Sequence, residues 1–226
     1  MENQNVIRNT SLLLAFAAGF CDTVTFVAAG ELFSAHVTGN FIVFAYDLIR
    51  HADPHSWRKL LSFPLFILSI MVGGRIAKRS SNKFLLLVLE SILLMIAGIL
   101  SIVLNVGQGS VWQLQLISAL IIIGMAFQNT FGKLNSKATY GLTTVMTGNV
   151  TQASLDLVTG ITDKNSSSES WSSFGKQTVL IFGFLVGCLT GALIARQIGL
   201  ASVLLPGGLL FGWLIVGKRF TTQADQ

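Results

Sequence analysis

The sequence predicts an all-α integral membrane protein with about six transmembrane helices plus two broken or re-entrant half-helices, arranged as two inverted repeats. Three observations predict this fold class: a very apolar composition, an internal repeat, and the distribution of lysine and arginine. Apolar residues make up 52% of the chain and charged residues 11%, whereas a typical soluble domain carries about 25% charged residues. The composition therefore excludes an ordinary soluble domain.

Six apolar runs approach or reach the length that crosses a bilayer, about 20 residues. They cover roughly residues 11–29, 60–77, 84–105, 111–131, 178–195 and 201–216. Two further segments, 37–48 and 144–160, are shorter or more polar. The first ten residues lack the short apolar core and small-residue cleavage site of a signal peptide, so the first run is predicted to be a retained helix.

The chain contains an internal repeat. The motif Thr-Gly-Asn occurs at residues 38–40 and again at 147–149. In each copy an aspartate, Asp47 or Asp156, follows seven positions after the asparagine. A shared offset and a shared acid favour duplication over coincidence.

The similarity extends on both sides of the two motifs. Upstream, Asp22 in the first span corresponds loosely to Asn129 in the fourth. Downstream, both copies place small residues every four positions, at Ser69, Gly73 and Ala77 and at Gly187, Gly191 and Ala195. Such small-residue faces pack helices together, within one chain or across a dimer. The sequence therefore predicts a first membrane repeat over residues 1–109 and a second over 110–226, which together form one membrane domain.

Lysine and arginine, which collect in cytoplasmic loops, indicate whether the two motifs cross the membrane. If all eight segments cross, 7 of the 15 basic residues lie inside and 8 outside. If the two motif segments enter and leave by the same face, 11 lie inside and 4 outside. The second arrangement shows the expected bias, and its three crossings per half make the repeats inverted, as in many secondary transporters.

The two triplets are candidate substrate-binding elements. Each follows an irregular stretch and precedes a run compatible with a helix, and irregular backbone at membrane depth is tolerated only where protein or a water-filled cavity satisfies it. The threonine is expected to cap the new helix with its hydroxyl group, and the glycine to allow close approach. Free N–H groups at two facing half-helix starts would suit an anion or a polar group. The candidate binding residues are Thr38, Gly39, Asn40, Thr147, Gly148 and Asn149.

Ionisable and polar residues within the spans are candidates for proton or ion coupling, because such residues are costly in a membrane and mark ion pathways. They are Asp22, Asp47, Asp156, Asn129 and Glu90. Seven residues are about two helical turns, so each triplet asparagine and its following aspartate share one helix face. The alternatives are that Asp47 and Asp156 lie at the water interface, solvated or paired with a base such as Arg50, and that Asp22 makes an interhelical hydrogen bond.

Other chemistry has little support in the sequence. His36 precedes the first triplet and is expected to be a satisfied polar residue or a pH-responsive accessory, since no partner has metal-ligand spacing. The chain has no P-loop, no Gly-x-Ser-x-Gly, no His-Glu-x-x-His and no cysteine pair with metal spacing. No enzyme activity, metal or cofactor is predicted, and an intramembrane enzyme ranks third among the functions considered.

The paired segments FAAGFCDTVTFVAAGELFSAHVTGNFIVFAYDL and GMAFQNTFGKLNSKATYGLTTVMTGNVTQASLDL resemble the YoaK-type family of bacterial membrane proteins, which has a domain of unknown function. The resemblance covers nearly the whole chain and rests on the two Thr-Gly-Asn motifs and the Gly-x-x-Asp segment that ends at Asp22. It implies an integral inner-membrane protein and brings no substrate or activity. At the level of fold only, paired half-helices in inverted repeats also resemble nucleobase and sulfate permeases, whose chains are much longer.

The leading hypothesis is a small secondary transporter or channel-like permease for a small polar or anionic solute, with proton coupling as one option. The alternative is a non-transporting binding, sensing or scaffold protein in which the triplets are structural. The expected partners are the lipid bilayer and the solute, with a homodimer suggested by the small size and no role for nucleic acid. The chain is expected in the bacterial inner membrane with both termini in the cytoplasm.

Overall fold

The computed structural model describes residues 2–50, 55–105, 111–163 and 166–224, and in these ranges the regular structure is entirely helical. Two short 3-10 helices, Ser56–Leu61 and Gly199–Val203, lead into α3 and α8. The α-helices are α1 (Glu2–Ala28), α2 (Gly39–Arg50), α3 (Ser62–Arg79), α4 (Leu85–Val103), α5 (Val111–Leu134), α6 (Thr147–Thr162), α7 (Ser167–Ile198) and α8 (Leu204–Ala224).

Five helical stretches of the described chain are long and apolar enough to cross a membrane, with mean hydropathies of 1.6 to 2.6. The first four correspond to α1, α3 with its 3-10 turn, α4 and α5. The fifth covers 49 residues and contains α7, a 3-10 turn and the start of α8. At 1.5 Å per residue it would measure about 70 Å, more than twice a hydrocarbon core of about 30 Å. The prediction of an all-α membrane protein is confirmed.

The two helices that begin at the triplets are shorter than the others. Helix α2 has 12 residues and α6 has 16, which at 1.5 Å per residue gives lengths of about 18 Å and 24 Å. Both fall short of a hydrocarbon core of about 30 Å. Irregular segments precede them, over residues 29–38 and 135–146, as expected for half-helices.

The long helices of each half of the chain pack against helices of the other half. Helix α1 packs against α7, and α5 packs against α3, so the first helix of each half contacts the third helix of the other. Helix α4 packs against both α5 and α8. Such reciprocal packing agrees with two related halves. The predicted boundary at residues 109 and 110 lies outside the described residues, as does Lys164, one of the 15 basic residues counted above.

Glycines let α1 and α7 approach backbone to backbone. A Cβ atom on Gly187 would lie 2.1 Å from the carbonyl oxygen of Phe16, and one on Gly19 would lie 2.2 Å from that of Phe184. Both distances are shorter than any real Cβ contact, so these positions require glycine. The small-residue face of the second half therefore joins helices within one chain. In the first half, Gly73 similarly faces Phe127 of α5.

The outer surface of the bundle is apolar. Along α7, Leu185, Leu189 and Leu193 are 52%, 58% and 66% exposed. These residues recur every four positions and form one stripe along the helix. A continuous leucine stripe of this kind fits contact with lipid, whereas the buried polar groups described below lie inside the bundle.

Candidate binding and proton-coupling site

The chain turns back towards α1 directly after that helix ends. Gly30 and Glu31 have left-handed backbone conformations, with φ values of 69° and 59°. The N–H group of Glu31 donates to the carbonyl oxygen of Phe26 at 3.0 Å. This bond closes the last turn of α1. Residues in the left-handed conformation commonly end helices in this way. The reversal brings residues 34–36 back to the side chain of Asp22.

Asp22 is buried, with 3% of its surface exposed, and it binds the loop that precedes the first triplet. Its Oδ1 atom accepts the backbone N–H groups of Ser34 at 2.8 Å and Ala35 at 2.6 Å, with that of His36 at 3.4 Å. The Ser34 hydroxyl also donates to it, at 3.3 Å. Successive backbone N–H groups that converge on one point form an anion-binding nest. In this structure the carboxylate of Asp22 is the anion in the nest, and its partners lie in the loop rather than on a second helix.

His36 connects the two halves of the protein. Its Nδ1 atom contacts Asp22 Oδ2, and its Nε2 atom lies 2.9 Å from the carbonyl oxygen of Val145, just before the second triplet. The ring packs against that of Phe184 of α7 in a T-shaped arrangement, with ring centroids 5.5 Å apart. The side chain is 25% exposed. The loops before the two triplets thus meet at this imidazole, although the sequence shows no partner for it.

The hydrogen-bond acceptors around His36 determine how many protons the Asp22–His36 pair must hold. With Asp22 ionised, both ring nitrogens face acceptors, so both must carry a proton. Burial lowers the pKa of the imidazole, but the hydrogen bond to Asp22, the charge of that carboxylate and the Val145 carbonyl raise it further, and the pKa lies above its ordinary value. If the imidazole lost one of these protons, either Asp22 or the Val145 carbonyl would face the lone pair of an unprotonated ring nitrogen.

The threonines of the triplets do not cap the helices, so the predicted N-caps are wrong. Helix α6 begins at Thr147 itself, with Met146 as the N-cap and no side-chain cap from the threonine. Helix α2 begins at Gly39, and no hydrogen bond of the Thr38 hydroxyl is found among the described residues. Both threonines and Gly148 are exposed, and Gly39 is half-buried. Neither threonine hydroxyl therefore makes the expected capping bond among the described residues.

In both triplets the asparagine side chain makes the local hydrogen bonds. Asn40 is fully buried; its Oδ1 accepts the N–H of Phe33 at 2.8 Å, and its Nδ2 donates to Ser62 Oγ at 2.8 Å. In the second copy, Asn149 Oδ1 accepts the N–H of Met146 at 2.9 Å, and Nδ2 donates to Gln177 Oε1 at 3.0 Å. Each amide thus ties the loop before its own helix to the helix or turn that follows.

The two triplet aspartates have different surroundings. Asp47 is 4% exposed and shares a face of α2 with Asn40, as predicted from the spacing. Its Oδ2 atom forms an ion pair of 2.6 Å with Lys59, which is itself 9% exposed. Asp47 is therefore paired as one alternative expected, but with Lys59 rather than Arg50.

Asp156 is 8% exposed and lies on the buried face of α6. Its Oδ1 atom accepts the side-chain amide of Gln152 at 2.8 Å. Its Oδ2 atom is buried without a hydrogen-bond partner among the described residues. A buried carboxylate oxygen without a partner is costly, so this acid differs from its counterpart Asp47, which has a lysine.

Glu90 of α4 is fully buried, and neither of its carboxyl oxygens has a hydrogen-bond partner in the described part of the chain. It faces Gly124 of α5, where an added Cβ would stand 3.7 Å from Glu90 Cγ. Gln128 lies one turn further along α5, and its Oε1 atom is also buried without a hydrogen-bond partner among the described residues. Glu90 therefore leaves two acceptor atoms without partners at the contact of α4 and α5.

Polar residues of α5 hold the loop before the second triplet, as Asp22 holds the first. Gln128 Nε2 donates to Thr143 Oγ1 at 2.8 Å and to the carbonyl oxygen of Leu14 at 2.9 Å. Asn129 Nδ2 makes a longer contact of 3.4 Å to Thr144 Oγ1. The predicted correspondence of Asp22 and Asn129 thus has a structural basis, but the stronger contact in the second half comes from Gln128.

The fold and site define an α-helical multi-pass membrane protein in which two half-helices and their connecting loops meet inside the bundle. The chain belongs to the family described as protein of unknown function (DUF1275), whose model matches residues 10–216. The prediction of a family with a domain of unknown function is thereby confirmed at that level. Neither the curated proteins nor the solved structures contained a match to this chain.

Proposed function

We propose that this protein is a small secondary transporter or channel-like permease of the bacterial inner membrane, with both termini in the cytoplasm. Its solute is small and polar or anionic, and its transport is coupled to protons. The YoaK-type resemblance and the excess of basic residues on one side support this location. The solute pathway runs between the loops that precede the two Thr-Gly-Asn helices.

The contact of His36 with both Asp22 and the Val145 carbonyl carries the proposal. These three groups come from α1, from the loop before α2 and from the loop before α6. A single titratable pair therefore joins the two halves at the point where both half-helices begin. Among the described residues, the thiols of Cys21 and Cys188 also lie close enough to Asp22 to interact with its charge.

The protonation state of this pair sets its contacts. With one proton shared between Asp22 and His36, both the Asp22 contact and the Val145 contact are satisfied. Loss of that proton leaves either Asp22 or the Val145 carbonyl opposite the lone pair of a ring nitrogen. This weakens either the contact of His36 with Asp22 or its contact with the second half. A proton binding site that loosens and tightens the contact between two halves is what proton-coupled alternating access requires.

The nest around Asp22 favours an anionic or polar solute. Backbone N–H groups of residues 34–36 point at one carboxylate oxygen. The same donors would hold an oxyanion or a carbonyl group if Asp22 gave up part of this contact. A solute that took these donors would displace the carboxylate that also binds His36. Solute binding at the nest would therefore act on the same Asp22–His36 pair that holds the proton.

The engagement of the two asparagines favours the second candidate function, a non-transporting scaffold or binding protein. Asn40 and Asn149 both use their amide oxygen and nitrogen within the protein. Satisfied amides of this kind stabilise a bundle and need no ligand. The two functions differ in whether water reaches the triplets.

Cysteine accessibility tests the proposal. Thr38 and Thr147 are exposed and bear no capping bond, so each can be replaced by cysteine in a background with Cys21→Ala and Cys188→Ala. We expect both cysteines to react with a small water-soluble thiol reagent in membranes, at rates that change with pH. Leu193→Cys, on the lipid-facing stripe of α7, is the matched control and should stay unlabelled. Protection of both triplet cysteines in a folded protein would overturn the transport proposal and support the scaffold.

A further inference from the structure

A cavity lies between the loop after α1, the 3-10 turn at Ser56–Leu61, the start of α3 and the start of α5. Its volume is about 390 Å³, within the range of small-molecule pockets, about 300–1,000 Å³. Its inner wall is apolar and includes Ala29, Leu32, Leu61, Leu65, Leu114 and Ile122. The polar side chains His55, Arg58 and Gln115 also line it. The cavity thus combines a long apolar wall with a basic group.

Arg58 stands between aromatic rings at this cavity. Its guanidinium carbon lies 5.8 Å from the ring centre of Trp57 and 5.9 Å from that of Trp112. With the Gln115 amide turned to satisfy its neighbours, its oxygen accepts from Arg58 Nε at 3.1 Å. Trp57 and Trp112 are 51% and 74% exposed. Exposed tryptophans beside a basic residue are typical of the boundary between the hydrocarbon core and the headgroups.

The positive charge of Arg58 is not offset within the described part of the chain. Lys59, which also lines the cavity, is already paired with Asp47 at 2.6 Å. Arg58 has no carboxylate partner among the described residues, and its guanidinium fork can hold two oxygens of one phosphate group. Among the described residues, Arg58 is therefore a cation without a carboxylate partner at the wall of an apolar chamber.

We propose that this cavity binds an acidic phospholipid of the bilayer, with the phosphate on Arg58 and one acyl chain along the apolar wall. A soluble anion would use Arg58 but leave the apolar wall without a partner. Basic pockets between transmembrane helices bind anionic headgroups in the same manner. None of the triplet residues lines this cavity, so the lipid site is separate from the proposed solute site.

The cavity wall also contacts the first half-helix indirectly. Lys59 and Ser62 line the cavity, and they hold Asp47 and Asn40 of α2. A bound lipid would restrict the 3-10 turn that positions both contacts. We therefore expect acidic phospholipid to stabilise the protein as well as to bind it.

Native mass spectrometry of the purified full chain tests this inference with two lipids of identical acyl chains. We expect phosphatidylglycerol to be retained in preference to phosphatidylcholine. Arg58→Gln should weaken retention of phosphatidylglycerol by about tenfold, the effect of removing one charge-assisted hydrogen-bonded pair. Arg50→Gln is the matched control, because Arg50 lies over the Tyr46 ring at 5.2 Å and outside the cavity. That variant loses the same charge and should bind like the wild type.

A second variant separates the headgroup from the acyl chain. Ala119 lines the cavity, and Ala119→Phe should reduce phosphatidylglycerol retention while Arg58 remains in place. Equal retention of both lipids by the wild type, or unchanged retention by Arg58→Gln, would overturn the proposal. Equal competition by inorganic phosphate would show a simple anion site instead. A lipid-free dimer that needs Arg58 would show that a second copy of the chain occupies the cavity.

Discussion

Lys59 and Asp47 form an ion pair of 2.6 Å in which the two residues are only 9% and 4% exposed. The pair fixes α2 to the 3-10 turn that leads into α3. Removing one partner of a buried pair leaves an uncompensated charge, which costs about 3–5 kcal/mol. We therefore expect Lys59→Met to lower the free energy of unfolding by that amount, measured as the thermal midpoint in detergent.

The double variant Lys59→Met with Asp47→Leu controls for the loss of charge. Replacing both partners by apolar residues of similar size removes the orphaned carboxylate. We expect the double variant to recover most of the stability lost in Lys59→Met. A double variant that is less stable than the single one would show that the geometry of α2, rather than burial of an unpaired charge, dominates.

Asp22 and Glu90 are both buried acids, and they should respond oppositely to amide substitution. Asp22 accepts several hydrogen bonds from the loop over residues 34–36, whereas the Glu90 oxygens have no partner in the described chain. Asp22→Asn should cost about 2–3 kcal/mol through the loss of charge-assisted hydrogen bonds. Glu90→Gln should leave the thermal midpoint unchanged or higher, because it removes no hydrogen bond of Glu90 among the described residues and leaves no carboxyl group that could ionise inside the bundle. A larger loss in Glu90→Gln than in Asp22→Asn would contradict these environments.

The two triplet asparagines should differ in their contribution to stability. Asn40 is fully buried and donates to both the Phe33 carbonyl and Ser62 Oγ, whereas Asn149 is only half-buried. Buried groups left unpaired cost about 1–3 kcal/mol each. We expect Asn40→Ala to cost about 3 kcal/mol and Asn149→Ala about 1 kcal/mol in thermal unfolding. Equal losses would mean that the second triplet is as tightly enclosed as the first.

The stability of the protein should depend on pH through His36. Its pKa is raised in the folded protein, so the protonated form stabilises the fold. This contribution is complete below about pH 6.5, the ordinary pKa of histidine, and is lost as the pH rises through the higher folded value. We expect the thermal midpoint of the wild type to fall across that window, and His36→Gln to show a smaller fall. An identical pH profile in His36→Gln would assign the effect to other groups.

Composition and spacing were enough to predict the helices, because apolar runs and their basic flanks report directly on membrane crossing. The repeat of Thr-Gly-Asn and aspartate also predicted the short helices and the shared face of Asn40 and Asp47. These features depend on the spacing of residues close together in the chain, which can be read from a single sequence. The start of α6 was placed correctly near the triplet, but its N-cap was wrong, because Thr147 is already the first residue of the helix and Met146 is the N-cap.

The contacts that define the candidate site depend on tertiary structure. The contact of His36 with the Val145 carbonyl joins distant parts of the chain. Because every residue has a backbone carbonyl group, the sequence does not indicate which one His36 contacts. Lys59 is one of the 15 basic residues that the topology count treats as loop residues, yet it is buried beside Asp47. Gln128 precedes Asn129 in the sequence, and its position in the middle of an apolar span was the available signal.

The distance between the two triplets as a function of pH tests the central claim most directly. Spin labels on Thr38→Cys and Thr147→Cys, in the background without native cysteines, report this distance by pulsed electron paramagnetic resonance in proteoliposomes. We predict one narrow distribution at acidic pH, where the Asp22–His36 pair holds its proton, and a broader or longer one at alkaline pH. The change should disappear in His36→Gln. A distribution that stays the same from acidic to alkaline pH in the wild type would contradict a proton-dependent link between the two halves.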